Sequence, residues 1–291
     1  MKKTIFECIA LVIMSILIAS CDETQTSLMV DGVRYQILSD STAEVVNDSS
    51  YNKVRTINIP PVIQIKGKEY KVTSIGDAAF AGCEELSDIN IPATVVHIGS
   101  FSFEGCSKLK NIIIPPNVTI IEKRTFVWCH SLENITIPDN VISIESRAFY
   151  ACYSLSSVTM SKNITNIGTD AFQSCTELSS INLPSCISCI GEKAFAFCPK
   201  LNITIDISRD KVRIGKDAFD DCYSVKFKED ETSIADMEVD TVDGNSSNSK
   251  FNTISDSTIE ELSNDSNSYQ YYQTIDDNDK DSIYSVENSN V

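Results

Sequence analysis

Seven phenylalanines mark the chain at near-constant intervals. Phe80, Phe103, Phe126, Phe149, Phe172 and Phe195 are 23 residues apart, and Phe219 follows after 24. A cysteine stands three residues after each, at Cys83, Cys106, Cys129, Cys152, Cys175, Cys198 and Cys222. Before each Phe stands Ile75, Ile98, Ile121, Ile144, Ile167, Ile190 or Ile214, most often followed by Gly. After each Cys comes Leu86, Leu109, Leu132, Leu155, Leu178 or Leu201, with Val225 in the last copy. A unit this small cannot bury its own apolar side chains. Stacked copies share a continuous core, and stability becomes a sum of unit and nearest-neighbour terms.

Within a copy, stretches such as Ile89-Asn90-Ile91-Pro92 and Ile135-Thr136-Ile137-Pro138 alternate apolar and polar residues. Period 2 predicts a short strand with Ile inward and the polar residue outward. Pro92, Pro115, Pro138 and Pro184 stop it, because proline has no N–H for a ladder. A second short strand is expected around Val95–Ile98. The segment 77–83 is expected to pack Ala79 and Phe80 inward as a helical turn. At about 4.8 Å per stacked strand, seven copies give a core roughly 30–35 Å long. Copy four departs from the pattern with Met160-Ser161, and copy six has an irregular strand-to-strand turn, where a bulge is expected.

The repeat resembles that of the BspA-like leucine-rich repeat family, IGxxAFxxCxxLxxIxIPxxVxx, over about residues 54–227. The stretches from Gly32-Val33-Arg34-Tyr35 to Val72-Thr73-Ser74-Ile75, including GKEYKVTSIG, resemble that family's N-terminal cap. The resemblance implies a repeat solenoid, mainly β with short helical turns. It assigns residues 28–73 to the cap and first irregular repeat, and 74–228 to seven repeats. It also implies a non-enzymatic surface protein that adheres to host proteins or other cells, with host extracellular matrix among its candidate partners.

The N-terminus reads as an address. Lys2 and Lys3 precede an apolar stretch from about Ile5 to Ala19, interrupted by Glu7 and short for a spanning helix. Ile18-Ala19-Ser20-Cys21 resembles the lipobox of bacterial lipoproteins, which makes residues 1–20 a signal peptide, Cys21 the lipid attachment site and 21–27 a linker. The alternative is an ordinary secretory peptide with an incidental Cys. A lipidated Cys anchors a protein to a membrane without spanning it. Asp22-Glu23 resembles a lipoprotein surface-export signal, and also fits a plain polar linker. The expected location is the outer membrane, on the cell surface.

Charge is concentrated at the other end. The formal net charge is −17, and residues 229–291 hold 16 acidic and 2 basic residues, leaving −3 for residues 1–228. Low hydrophobicity and high charge predict a disordered tail. Asp277, Asp279 and Asp281 hint at a calcium loop, but Ser282 and Asn288 stand where Gly and Glu are needed. Asp240-Thr241-Val242, Asp256-Ser257-Thr258 and Asp281-Ser282-Ile283 resemble short bacterial O-glycosylation acceptors. The acidic balance argues against nucleic acid as a partner.

The sequence offers no catalytic constellation. His97 and His130 are the two histidines, and neither stands beside a nucleophile motif. Strand spacing near 4.8 Å exceeds disulfide reach, so the seven ladder cysteines read as small buried hydrophobes. Cys186 and Cys189 form a C-x-x-C without the further ligands that zinc needs. No metal and no cofactor is expected.

Two faces are candidates for binding a protein or glycan. The outward strand positions, among them Asn90, Asn111, Asn134, Thr136, Thr159 and Asn182, form a polar and nearly uncharged face. It suits hydrogen bonding to a ligand and equally suits a solvated ladder. The turn side carries Trp128, Tyr150, Tyr153 and Phe197, residue types that anchor interfaces and also lid cores. An envelope scaffold facing the periplasm, organising partners of the same cell, is the rival to a surface adhesin.

Overall fold

The computed structural model describes residues 27–208 and 211–227. The expected signal peptide and lipid attachment site at Cys21, most of the expected linker, and residues 228–291 with their calcium-like and glycosylation-like stretches lie outside the described residues.

The N-terminal cap is a mixed sheet built from β1 (Ser27–Val30), β2 (Val33–Ile37), β3 (Thr42–Val45), β5 (Val62–Ile65) and β6 (Lys68–Ile75), with β4 (Thr56–Asn58) outside it. Asp31-Gly32 closes the β1–β2 hairpin with φ of 49° and 80°, the pair of left-handed residues that a two-residue turn between twisted strands requires. β3 and β6 run parallel with a register shift between Ala43 and Glu44. The cap supplies the first rung of everything that follows. The end of β6, Ser74-Ile75, pairs with His97–Ile98, and β4 pairs in parallel with Asp88–Asn90. Tyr51, in the 3-10 turn Ser49–Lys53, is fully buried 5.2 Å from Phe80, so its ring starts the stack that the phenylalanines continue.

From there each copy winds once around the core. The second strand of each copy builds one parallel ladder through Ile120–Ile121, Ser143–Ile144, Asn166–Ile167, Cys189–Ile190 and Arg213–Ile214. The first strand builds another, Asn134–Thr136 with Ser157–Thr159 and Ser180–Ile181, and later Asn202–Ile205 with Ser224–Phe227. At Asn111–Ile113 no strand forms and this ladder is interrupted.

The turns make a third ladder. The N–H groups of Ala78, Phe80 and Gly82 donate to the carbonyls of Ser100, Ser102 and Glu104, one copy on, and later copies repeat this. Two left-handed residues per turn, for example Arg124 (φ 58°) and Trp128 (φ 60°), aim alternate N–H groups along the stack. Ala79 and Phe80 pack inward as expected, but the turn is tighter than an α-helix: Ala81 N–H bonds Ala78 O and Cys83 N–H bonds Phe80 O. Among the described residues no α-helix occurs.

The core is a set of columns. Phe80 through Phe219 stack face to face with successive centroids 5.0–5.5 Å apart. The Ile, Leu and Cys columns flank them, all buried through copy six except the Cys186–Cys189 pair, which belongs to other columns. The described cysteines are all free, and Cys222, in the last copy, is half-buried. The irregular turn of copy six runs through residues 209–210, outside the described residues.

Candidate binding surface

The first ladder places the predicted polar positions on one face. Asn90, Asn111, Asn134, Thr136, Thr159 and Asn182 are all exposed. Part of this row is tied up internally. Asn90 Nδ2 donates to Asn58 Oδ1 at 2.6 Å, and Ser157 Oγ donates to Asn134 Oδ1 at 2.5 Å. Among the described residues, no side-chain hydrogen bond involves Asn111, Thr136, Thr159 or Asn182, so these remain open to a ligand. Asn58 belongs to the same row and was not singled out from the sequence. The signal was there, since Ile57-Asn58-Ile59-Pro60 repeats Ile89-Asn90-Ile91-Pro92.

The turn side gathers the aromatic candidates less tightly. Trp128 and Phe197 occupy the same turn position three copies apart, 37% and 38% exposed. Both are left-handed, at φ of 60° and 59°, where Gly82 and Gly105 stand in the first two copies. Tyr150 is half-buried with the Arg147 guanidinium 5.9 Å over its ring, and Arg147 also bonds Asp170 at 3.1 Å. Tyr153 stacks on His130 at 4.8 Å. Burial lowers the His130 pKa, which keeps that imidazole neutral at physiological pH. Two of the four aromatics thus serve intramolecular contacts, while Trp128 and Phe197 present the freer rings.

The remaining reactive groups have structural explanations. Asn117, Asn140 and Asn163 donate their side-chain amides to the carbonyls of Ala93, Pro116 and Asp139. Cys186 takes that position one copy later and its thiol donates to Lys162 O at 3.1 Å. Cys189 lies in the other ladder, in register with Asn166 and Arg213. Glu122 stands where most copies have Gly, 4.0 Å from His97. Burial raises its carboxyl pKa, against the pull of His97. Among the described residues no group of three or more His, Cys, Asp or Glu is placed to hold a metal ion.

The model of the BspA type leucine-rich repeat region matches residues 62–141 and 104–226, with six copies. No curated protein matches the chain. Among solved structures it is similar to the leucine-rich repeat protein of T. pallidum at 27% identity and a TM-score of 0.60, covering 72% of this chain and 94% of that one. A leucine-rich repeat protein from Bacteroides ovatus is 26% identical with a TM-score of 0.45, covering 69% of this chain and 76% of that one. With the family match spanning more than half its length, and with the stacked Ile, Phe, Cys and Leu columns that the family repeat encodes, this chain belongs to the BspA-type leucine-rich repeat family, a family of bacterial repeat solenoids that typically serve as protein-binding surface proteins.

Proposed function

We propose that this chain is a bacterial lipoprotein, anchored through Cys21 to the outer membrane, that presents its solenoid at the cell surface to protein or glycan ligands and mediates adhesion to host or other cells. The observation that carries the binding role is the row of exposed, nearly uncharged amides and hydroxyls repeated at one-copy intervals along the first ladder. Such a surface gives affinity through many shallow contacts. The lipid anchor and the location rest on Lys2-Lys3, the apolar stretch and Ile18-Ala19-Ser20-Cys21.

Protease shaving of intact cells, compared with cells whose envelope has been opened, tests the location. Digestion on intact cells supports the adhesin. Protection until the envelope opens overturns it in favour of an envelope scaffold that organises partners of the same cell. Cys21→Ala is expected to release the chain from the membrane fraction, and retention of that variant would sink the lipid anchor.

A further inference from the structure

The two ends of the solenoid are not alike. The cap closes the first, whereas among the described residues the last copy has an open edge. In the second-strand ladder, Arg213–Ile214 pairs with Cys189–Ile190 alone. One copy earlier, Ser188 O and Ile190 O accept the N–H groups of Arg213 and Gly215. Their counterparts, Val212 O and Ile214 O, accept nothing among the described residues. Ile214 is 36% exposed, whereas the six isoleucines before it in the column are at most 2% exposed. Arg213 is exposed on the same edge, with exposed Lys211 and Lys216 close to it in sequence. Extended backbone unpaired at the end of a sheet is a template for another strand.

We propose that the chain covers this edge itself, with residues 232–234 added to the ladder as an eighth second strand. The inference is independent of the binding role proposed above. The sequence names the occupant. Thr232-Ser233-Ile234-Ala235-Asp236 repeats Thr73-Ser74-Ile75-Gly76-Asp77, the stretch that pairs with His97–Ile98 at the other end. Ile234 follows Val225 by nine residues, the interval from Ile89 to Ile98, Ile135 to Ile144 and Ile181 to Ile190. That interval carries the chain from the first ladder to the second, so continuing from Ser224–Phe227 brings Ile234 onto Ile214. Ser233 and Ala235 then take the places of Arg213 and Gly215, and their N–H groups meet Val212 O and Ile214 O. Ala235 in place of Gly is no obstacle, because Glu122 and Glu145 hold that position in two earlier copies. Charge agrees as well, since Glu229, Asp230 and Glu231 precede the strand and the edge carries Lys211, Arg213 and Lys216. Glu231 stands where earlier copies bury Val95 and Val118, the polar substitution that a terminal repeat needs. Glu238 and Val239 stand where the Ala79 and Phe80 columns would go on, so the repeat stops there. A second copy of the chain is the poorer occupant. It would bring together two chains that each continue into 16 acidic and 2 basic residues, which repel.

Hydrogen exchange of the full-length chain, read by mass spectrometry, tests this. The amides of Ser233 and Ala235 are expected to exchange at least tenfold more slowly than in an unfolded chain, at every protein concentration. Exchange at the unfolded rate overturns the proposal. Protection that grows with protein concentration overturns it too, and assigns the edge to a second copy. Ile234→Asp is expected to remove that protection and to speed exchange at Gly215, whose N–H bonds Ile190 O, at least tenfold. Ile259→Asp, the same change further along the chain, should leave both unaltered. Exchange at Phe126, in mid-stack, should match the parent in both variants and so verifies that they fold. Gly215 exchange indifferent to Ile234→Asp, or equally sensitive to Ile259→Asp, overturns the proposal.

Discussion

The thiol of Cys129 donates to the carbonyl oxygen of Phe103, one copy back, at 3.2 Å. Cys106, Cys152, Cys175, Cys198 and Cys222 repeat the bond to Phe80, Phe126, Phe149, Phe172 and Phe195. The column therefore bonds each turn to the one before it as well as filling space. Burial holds these thiols protonated: Cys83 is pushed up to about 11, Cys222 to about 12, and the fully enclosed ones higher still. Since the thiolate is the nucleophile, they are inert while folded. Alkylation at pH 8 followed by mass spectrometry is expected to label exposed Cys186 on the native chain and to reach Cys129 only after denaturant. Native labelling of Cys129 would show that the stack opens.

Phe126 lies between Phe103 and Phe149, at 5.5 and 5.2 Å, and is fully buried. Phe126→Ala removes a ring from the middle of the column and is expected to cost about 3–5 kcal/mol. Phe219, half-buried with Phe195 as its one stacking partner among the described residues, is expected to lose less on the same change. Because stability in a stacked array is a sum of neighbour terms, the central variant should also broaden the urea transition. Equal losses at the two positions would contradict this ranking.

Much of this architecture was legible in the sequence, and the reason is physical. The 23-residue period puts Phe103, Phe126 and Phe149 in identical environments, so pattern alone identifies the core. The period-2 stretch around Ile135 likewise announced its strand. The turn was harder to read. Ala79 and Phe80 face inward in a helical turn and in the observed tight turn alike, and apolar pattern does not report the left-handed φ of Ala78. The break at Asn111–Ile114 was illegible, because Ile112-Ile113-Ile114-Pro115 reads as the most strand-like of the copies while its backbone pairs with neither neighbour. Trp128 and Phe197, candidates from the sequence either for anchoring an interface or for lidding the core, lie exposed on the turn side. Tyr153 was not distinguishable by pattern from them, because its partner His130 sits on the preceding copy.

Glycine serves packing after the ladder isoleucine Ile190 and backbone conformation in the turn at Gly82. A Cβ at Gly191 would lie 2.5 Å from the backbone carbon of Gly168 and the nitrogen of Thr169. Neither is a side chain able to move aside. At Gly82 a Cβ meets nothing within 4 Å, but φ is 73°. Gly191→Ala is therefore expected to destabilise by more than about 2 kcal/mol through forced separation of two turns. Gly82→Ala should cost only about 1 kcal/mol of left-handed strain. Thermal melts of the two variants decide the order, and a milder effect at Gly191 would mean that the turns separate easily.

Asp48, in the cap, is one carboxylate whose folded-state bonds make the chain sensitive to acid. Its carboxylate accepts the side-chain and backbone hydrogen bonds of Ser50 and the guanidinium of Arg34, which together hold its pKa near about 2, below the ordinary 3.8. The folded value lies below the unfolded one. This stabilisation is therefore complete above about pH 4 and is lost as the pH falls through 4 toward 2. Asp48→Asn keeps an acceptor for the Ser50 N–H while removing the charge that Arg34 needs. Melting temperature against pH should then fall less steeply between pH 4 and 2 in the variant than in the parent, with the two closest at pH 2. Parallel curves through that window would assign the acid sensitivity to other carboxylates. Because Asp48 also begins the turn that seats Tyr51 against Phe80, loss of its bonds should loosen the first ring of the stack before the later ones. Hydrogen exchange at Tyr51 and Val54 is expected to rise at pH 3 ahead of exchange at Phe126.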